Sequence, residues 1–166
     1  MGAVKKPAPG FSHVSSRGGA RMVDVSAKPA TTRFARAEAW VTLGAAAARL
    51  LRQTGAVAKG NVLETARLAG IMAAKRTGEL IPMCHPLALD VVEAEAEMAG
   101  RRVRIETRVG CRERTGAEME ALVAAAVAAL TLYDMVKSAG KGVEIGPIRL
   151  IEKRGGESGH WRRRGG

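Results

Sequence analysis

The chain has 166 residues, 46% of them hydrophobic but only 3% aromatic, and a net charge of +11. That length suits one domain with a real core, which these proportions oblige to be built from Ala, Val, Leu and Ile. No apolar run reads as long enough to cross a bilayer, the amino terminus has no secretory h-region or myristoylation signal, and two cysteines are too few for a disulfide scaffold, so a cytoplasmic protein is expected.

Residues 1–20 are rich in Gly, Pro and Ser and are expected to form a flexible tail, followed by a single domain over 21–155 and a basic tail over 156–166. The charge is +4 in residues 1–21, +3 in 152–166 and +4 in between. The domain is therefore mildly basic, enough for a small, multiply charged anion. MVDVSAKPATTR (22–33) reads as an extended lead-in. In 34–43 Ala35, Ala37, Ala39 and Val41 alternate with Arg36, Glu38, Trp40 and Thr42, the pattern of a half-buried strand. Residues 44–53 form a short Ala/Leu helix ended by Gly55. Asn61 is the N-cap of a second helix, with Glu64 three residues on, reaching about Arg76. Its Ala66, Ala69, Gly70 and Ala73 permit close packing. Lys59 precedes that helix, where free N–H groups and the dipole favour an anion. An ordinary loop lysine is the plain alternative.

Pro82 and Pro86 bracket Met83, Cys84 and His85 in a stiff, non-helical loop. His85 there can serve as acid or base near neutral pH. A zinc site would need more ligands, and His13 and His160 lie in the tails, so no metal site is expected. Residues 91–98 and 102–108 alternate as two strands of a hairpin, with exposed Glu–Arg pairs across one face that are worth little. Residues 115–141 are the longest helical run. Thr115 and Glu118 have capping-box spacing, LVAAAVAAL is uncharged and reads as buried, and Gly140 and Gly142 supply the stop. Met119, Asp134 and Lys137 share one stripe of that helix. Residues 143–152 form the last strand, with Pro147 marking an edge or a bulge. The order β-α-α-β-β-α-β fits an α+β, ferredoxin-like plait: a four-stranded antiparallel sheet with helices on one face.

Several segments carry a resemblance: AKRT at 74–77, LIPMCHPL at 80–87, TGAEMEAL at 115–122, AALTLYDMVK at 128–137 and IGPIRL at 145–150, with MVDVSAK at 22–28 and KRGGESG at 153–159. Together they resemble the cyclic pyranopterin monophosphate synthase (MoaC) family of molybdenum cofactor biosynthesis, over about residues 22–159. The resemblance implies a hexamer, a trimer of dimers. It implies conversion of 3′,8-cyclo-7,8-dihydroguanosine 5′-triphosphate to cyclic pyranopterin monophosphate with release of diphosphate. It places catalytic roles on Asp134, Lys137, Lys59 and His85. It places substrate contacts on Met83, Cys84, His85, Glu118, Met119, Glu120, Lys75 and Lys153. Asn61, Met83 and Glu157 depart from the family's usual Asp, Leu and Lys.

The implied reaction is redox-neutral, so no cofactor is expected. The sequence leaves open whether Mg²⁺ accompanies the triphosphate. The competing class is an RNA-binding plait, which would want aromatics on its strands for base stacking. The central and final strands carry none, and no nucleic-acid or membrane partner is expected. Fourteen residues, roughly 21 Å at ~1.5 Å per residue, separate Glu120 from Asp134 along the helix. A site shared between subunits is the simpler way to join them.

Overall fold

The computed structural model describes residues 19–57, 60–157 and 159–164. Most of the expected amino-terminal tail, together with Lys59, lies outside the described residues. In chain order the elements are β1 (Thr31–Thr42), α1 (Ala45–Thr54), β2 (Ala56–Val57), β3 (Gly60–Asn61), α2 (Val62–Ala74) and a one-turn α3 (Thr77–Leu80). They continue with β4 (Leu89–Ala99), β5 (Arg102–Glu113), α4 (Glu118–Val136), a 3-10 turn (Lys137–Ala139), β6 (Glu144–Arg154) and β7 (His160–Arg162).

β1 organises the sheet. Its Ala35, Ala37, Ala39 and Val41 are fully buried, and the period of two puts them all on one face. β1 lies between β5 and β6, with β4 outside β5 and β7 outside β6, all antiparallel. β1 reaches β4 through α2 with β5 inserted between them. β5 reaches β6 through α4 with β1 inserted between them. These two interleaved units make the expected ferredoxin-like α+β plait. α2 and α4 cover the alanine face and pack on each other.

The caps of the first two helices form as expected. Gly55 takes a left-handed conformation (φ 62°) and donates its N–H to Leu51 O. Asn61 Oδ1 accepts the Glu64 N–H at 3.1 Å. The capping box at the start of α4 does not form. The helix begins at Glu118, its N-cap is Ala117, and no side chain caps it. Lys153 holds the Glu118 carboxylate instead, at 2.9 Å. α4 with its 3-10 turn is also long and apolar enough to cross a bilayer, contrary to the sequence reading, but 56% of the apolar window is buried in the protein. It is the core helix of the plait.

Two strand features differ from expectation, while Pro147 falls where it was expected. β5 runs on to Glu113 because Val109 and Cys111 continue the buried alternation. Residues 160–162, expected in a solvated tail, form β7 against Glu152–Arg154. Pro147, after a cis Gly146–Pro147 bond, sits where the β1–β6 register shifts and where β7 does not cover β6, so it marks both an irregularity and a locally open edge.

On the face without helices the expected exposed hairpin pairs form, Arg108 reaching Glu93 and Glu95 at 3.5 Å each. Three further glutamates there are, beyond expectation, nearly buried. Glu38, Glu106 and Glu152 are 3%, 6% and 2% exposed. Arg104 and Arg149 hold Glu38 at 2.9 and 2.8 Å, and Arg36, Arg104 and Arg108 hold Glu106 at 2.6, 2.7 and 3.1 Å. Arg36, Arg154 and His160 hold Glu152 at 3.1, 2.6 and 2.9 Å. Burial alone would raise these carboxyls. The arginine hydrogen bonds outweigh it and hold all three below their ordinary value.

α2 approaches α4 closely at Gly70. A Cβ there would lie 2.9 Å from the Ala124 backbone oxygen and 3.2 Å from Ala128 Cβ. Gly70→Val should therefore force α2 off α4 and cost about 1–3 kcal/mol, the usual range for overpacking. Thermal unfolding should show a midpoint lower by roughly 2–4 °C for each kcal/mol lost. An unchanged midpoint would contradict this account of the helix contact.

Candidate active site

The proline-bracketed loop is pinned against α3. A Cβ on Gly78 would meet Pro86 Cα at 3.0 Å, and Cys84 donates its N–H to Ile81 O at 3.0 Å. This holds Met83, Cys84 and His85 along a cleft of about 490 Å³, together with Met119 and with Val23 and Val25 of the lead-in. Beside it lies a second cleft of about 520 Å³ whose wall carries Lys28, Arg33, Arg114, Lys153 and Arg154 against only Glu118 and Glu157. Lys28, Thr115, Gly116 and Glu118 line both. The two clefts are halves of one groove at the amino-terminal end of α4, one half largely apolar with a histidine and a thiol, the other strongly cationic.

The cationic half has its own local logic. Lys153 faces the helix layer, opposite Ala35 in the β1–β6 register, so it reaches Glu118. Arg33 donates to the Glu113 and Arg114 carbonyls at 3.2 and 3.3 Å. The Gly155-Gly156 turn lies directly on the start of β1, where side chains would meet Thr32 O at 2.1 Å and Arg33 Nη1 at 1.8 Å. Sequence reasoning assigned no role to Lys28, Arg33 or Arg114. No spacing rule joins positions 28, 33, 114 and 153; only the sheet register does.

Glu120 and Cys84 form a buried pair beneath the apolar half. Cys84 Sγ lies 3.4 Å from Glu120 Oε1. Glu120 is 1% exposed, and its Oε2 is buried with no hydrogen-bond partner among the described residues. Burial pushes the Glu120 carboxyl up, with a further push from Glu118. Burial, then the Glu120 charge, pushes the Cys84 thiol up to about 12, so it stays a donor. Lys75 opens onto a separate hollow of about 310 Å³ that it shares with Glu120.

The expected catalytic pair lies elsewhere. Asp134 and Lys137 are paired at 2.6 Å, both more than half exposed, at the other end of α4. The Asp134 hydrogen bond raises the Lys137 ammonium. Neither residue lines the groove. Within one chain, the structure thus brings together Met83, Cys84, His85, Glu118, Met119 and Lys153, sets Glu120 and Lys75 behind them, and keeps Asp134 and Lys137 apart. Among the described residues no three His, Cys, Asp or Glu side chains gather as a metal set.

A family model described as the MoaC family matches residues 22–156. The chain belongs to the MoaC family. Two curated relatives are both named cyclic pyranopterin monophosphate synthase. One, from Thermomicrobium roseum, is 54% identical over 155 residues, covering 92% of this chain and 93% of the relative. The other, from Parvibaculum lavamentivorans, is 51% identical over 154 residues, covering 92% and 96%. The MoaC match spans both ends of α4 and every groove residue named above except Glu157.

Glu120 and the open-face glutamates should respond oppositely to pH. A raised carboxyl stabilises the folded state below its unfolded value and loses that contribution as pH rises through its folded value; lowered carboxyls lose theirs as pH falls. Glu120→Gln removes only the first effect. Its thermal midpoint relative to wild type should therefore climb as pH rises from the ordinary carboxylate range into the neutral range. A difference that stays constant across that range would contradict a raised Glu120.

Proposed function

We propose that this protein is a cyclic pyranopterin monophosphate synthase, converting 3′,8-cyclo-7,8-dihydroguanosine 5′-triphosphate to cyclic pyranopterin monophosphate and diphosphate. The observation that carries the reading is the two-part groove. Its cationic half suits a triphosphate and, later, a departing diphosphate. Its other half, with Met83, Cys84, His85 and Met119, suits a heterocyclic ring. Lys28, Arg33 and Lys153 would hold phosphate oxygens, and Glu120 and Cys84 would present hydrogen-bonding groups from below. Asp134, Lys137, Lys59 and His85 would move protons, as the family resemblance implies. The conversion is redox-neutral and calls for no protein-bound cofactor; any Mg²⁺ would travel with the triphosphate. The free thiols of Cys84 and Cys111 suit a cytoplasmic setting.

The reading also needs a second chain. Asp134 and Lys137 cannot act on a proton in the groove from the far end of α4, because a base must lie within about 3 Å of its target or one water away. The helix itself suggests the route. Its least buried stripe runs from Met119 through Leu122, Ala126 and Leu130 to Asp134 and Lys137, and Leu130 is 58% exposed. A two-fold axis crossing α4 near its midpoint would bury that stripe on a second copy. It would bring the partner subunit's Asp134 and the partner's Lys137 to the Glu120 end of this chain, forming two equivalent sites. Leu68 and Met72, 59% and 53% exposed on α2, offer apolar surface for the further contact that a hexamer of such dimers requires.

The RNA-binding alternative gains nothing from the sheet. Its open face is filled by the arginine–glutamate network, and the aromatics there are already covered. Trp40 lies under Arg102 at 4.1 Å and Phe34 under Arg154 at 5.5 Å.

Mass spectrometry of the purified protein incubated with the cyclised GTP precursor tests the activity. Wild type should yield the cyclic monophosphate and diphosphate. Asp134→Asn and Lys137→Ala should each fall by about 10²-fold or more while retaining the fold, the usual scale for a lost acid–base group. Unconverted precursor with folded wild type would overturn the reading.

A further inference from the structure

Glu118 is the acidic side chain common to both halves of the groove. Its Oε1 sits 2.9 Å from Lys153 Nζ, with the two side chains 28% and 30% exposed. Its Oε2 rests on Gly116, so closely that a Cβ at that position would meet it at 1.8 Å. The ion pair therefore depends on the missing side chain two residues earlier. Glu118 also stands at the first turn of α4, at the boundary between the cationic wall and the wall formed by Cys84, His85 and Met119.

A carboxylate in this position occupies a lysine that the rest of its wall marks as an anion ligand. Lys28, Arg33, Arg114 and Arg154 surround the same space. A phosphate carries more charge than a carboxylate and can be held by several of these cations at once. It should therefore outcompete a single, partly exposed ion pair, which contributes little on its own. The released carboxylate has somewhere to go, because the apolar half opens on its other side.

We propose that Glu118 is a displaceable internal anion: it holds Lys153 in the free protein, and phosphate oxygens arriving at Lys153 release it to face a ring bound beside His85 and Cys84. This rests on the proposed reaction only for the identity of the ring. Glu118 is then a positioning residue for phosphate entry and becomes a hydrogen-bond acceptor once the phosphate is seated. The ring half gains its acceptor only when a polyphosphate is present, which favours substrates that carry both parts.

The exchange can be tested with inorganic triphosphate, without turnover. In calorimetric titration, Glu118→Gln should bind triphosphate about 2- to 5-fold more tightly than wild type, the scale of one partly exposed ion pair. That gain alone could reflect the lost negative charge. Gly116→Ala keeps the charge but pushes the carboxylate off Lys153, and it should tighten binding to a similar degree. Tightening in Glu118→Gln without tightening in a folded Gly116→Ala would overturn the exchange and leave only a general charge effect. A wild-type crystal structure with triphosphate carries the test by itself if Gly116→Ala does not fold. There the Glu118 to Lys153 separation should exceed 4.0 Å, the limit of an ion pair. A contact retained at its present length, or no triphosphate in the groove at all, would overturn the proposal. Either result would leave the proposed reaction standing, whereas failure of wild type to convert the precursor would remove that reaction and not the exchange.

Discussion

Helix α4 is a rod of 19 residues, about 28 Å long at ~1.5 Å per residue. Its middle is alanine, valine and leucine, and its two ends carry the charge. One end meets the groove through Glu118, Met119 and Glu120. The other presents Asp134 and Lys137 to solvent. A helix cannot bend enough to bring its own ends together, so its length fixes the distance between Glu120 and the Asp134–Lys137 pair. The placement of the rest of the fold around that rod decides what each end can touch.

Small side chains let the rod sit where it does. β1 offers it three alanines and a valine, and α2 offers Gly70 against Ala124 and Ala128. Close packing on both sides sets α4 low on the sheet. Lys153, on the helix-facing side of β6, then reaches Glu118 at the start of α4. Packing and chemistry are linked at this contact: the register that buries Ala35 and Ala37 also aims Lys153 into the groove. On the opposite face, shared arginines keep three nearly buried glutamates ionised, and the pairing of Glu152 with His160 draws residues beyond the last long strand back onto the sheet as β7.

Much of the fold was legible because its signals are local. The alternation in residues 34–43, the Asn61 cap and the Gly55 stop each act over a few residues. The capping box was misread because Thr115 and Glu118 carry the right spacing, and only the fold reveals that Lys153 competes for the carboxylate. β7 was missed because its support is a cluster on the open sheet face rather than a pattern in the tail. In the groove, Met83, Cys84 and His85 could be read from their proline bracket and family likeness. Lys28, Arg33 and Arg114 could not, because their convergence is a property of strand register. The 21 Å between Glu120 and Asp134 was visible from helical rise alone.

The central claim is that groove and acid–base pair meet across two chains, and subunit mixing tests it directly. His85→Ala and Asp134→Asn would be unfolded together and reassembled. If a site takes His85 from one chain and Asp134 from the other, each mixed dimer holds one intact site and one doubly altered site. Random pairing should then restore about a quarter of the activity that wild type recovers under the same treatment. Reassembled mixed oligomers with no activity beyond that of the separate variants would contradict the shared site.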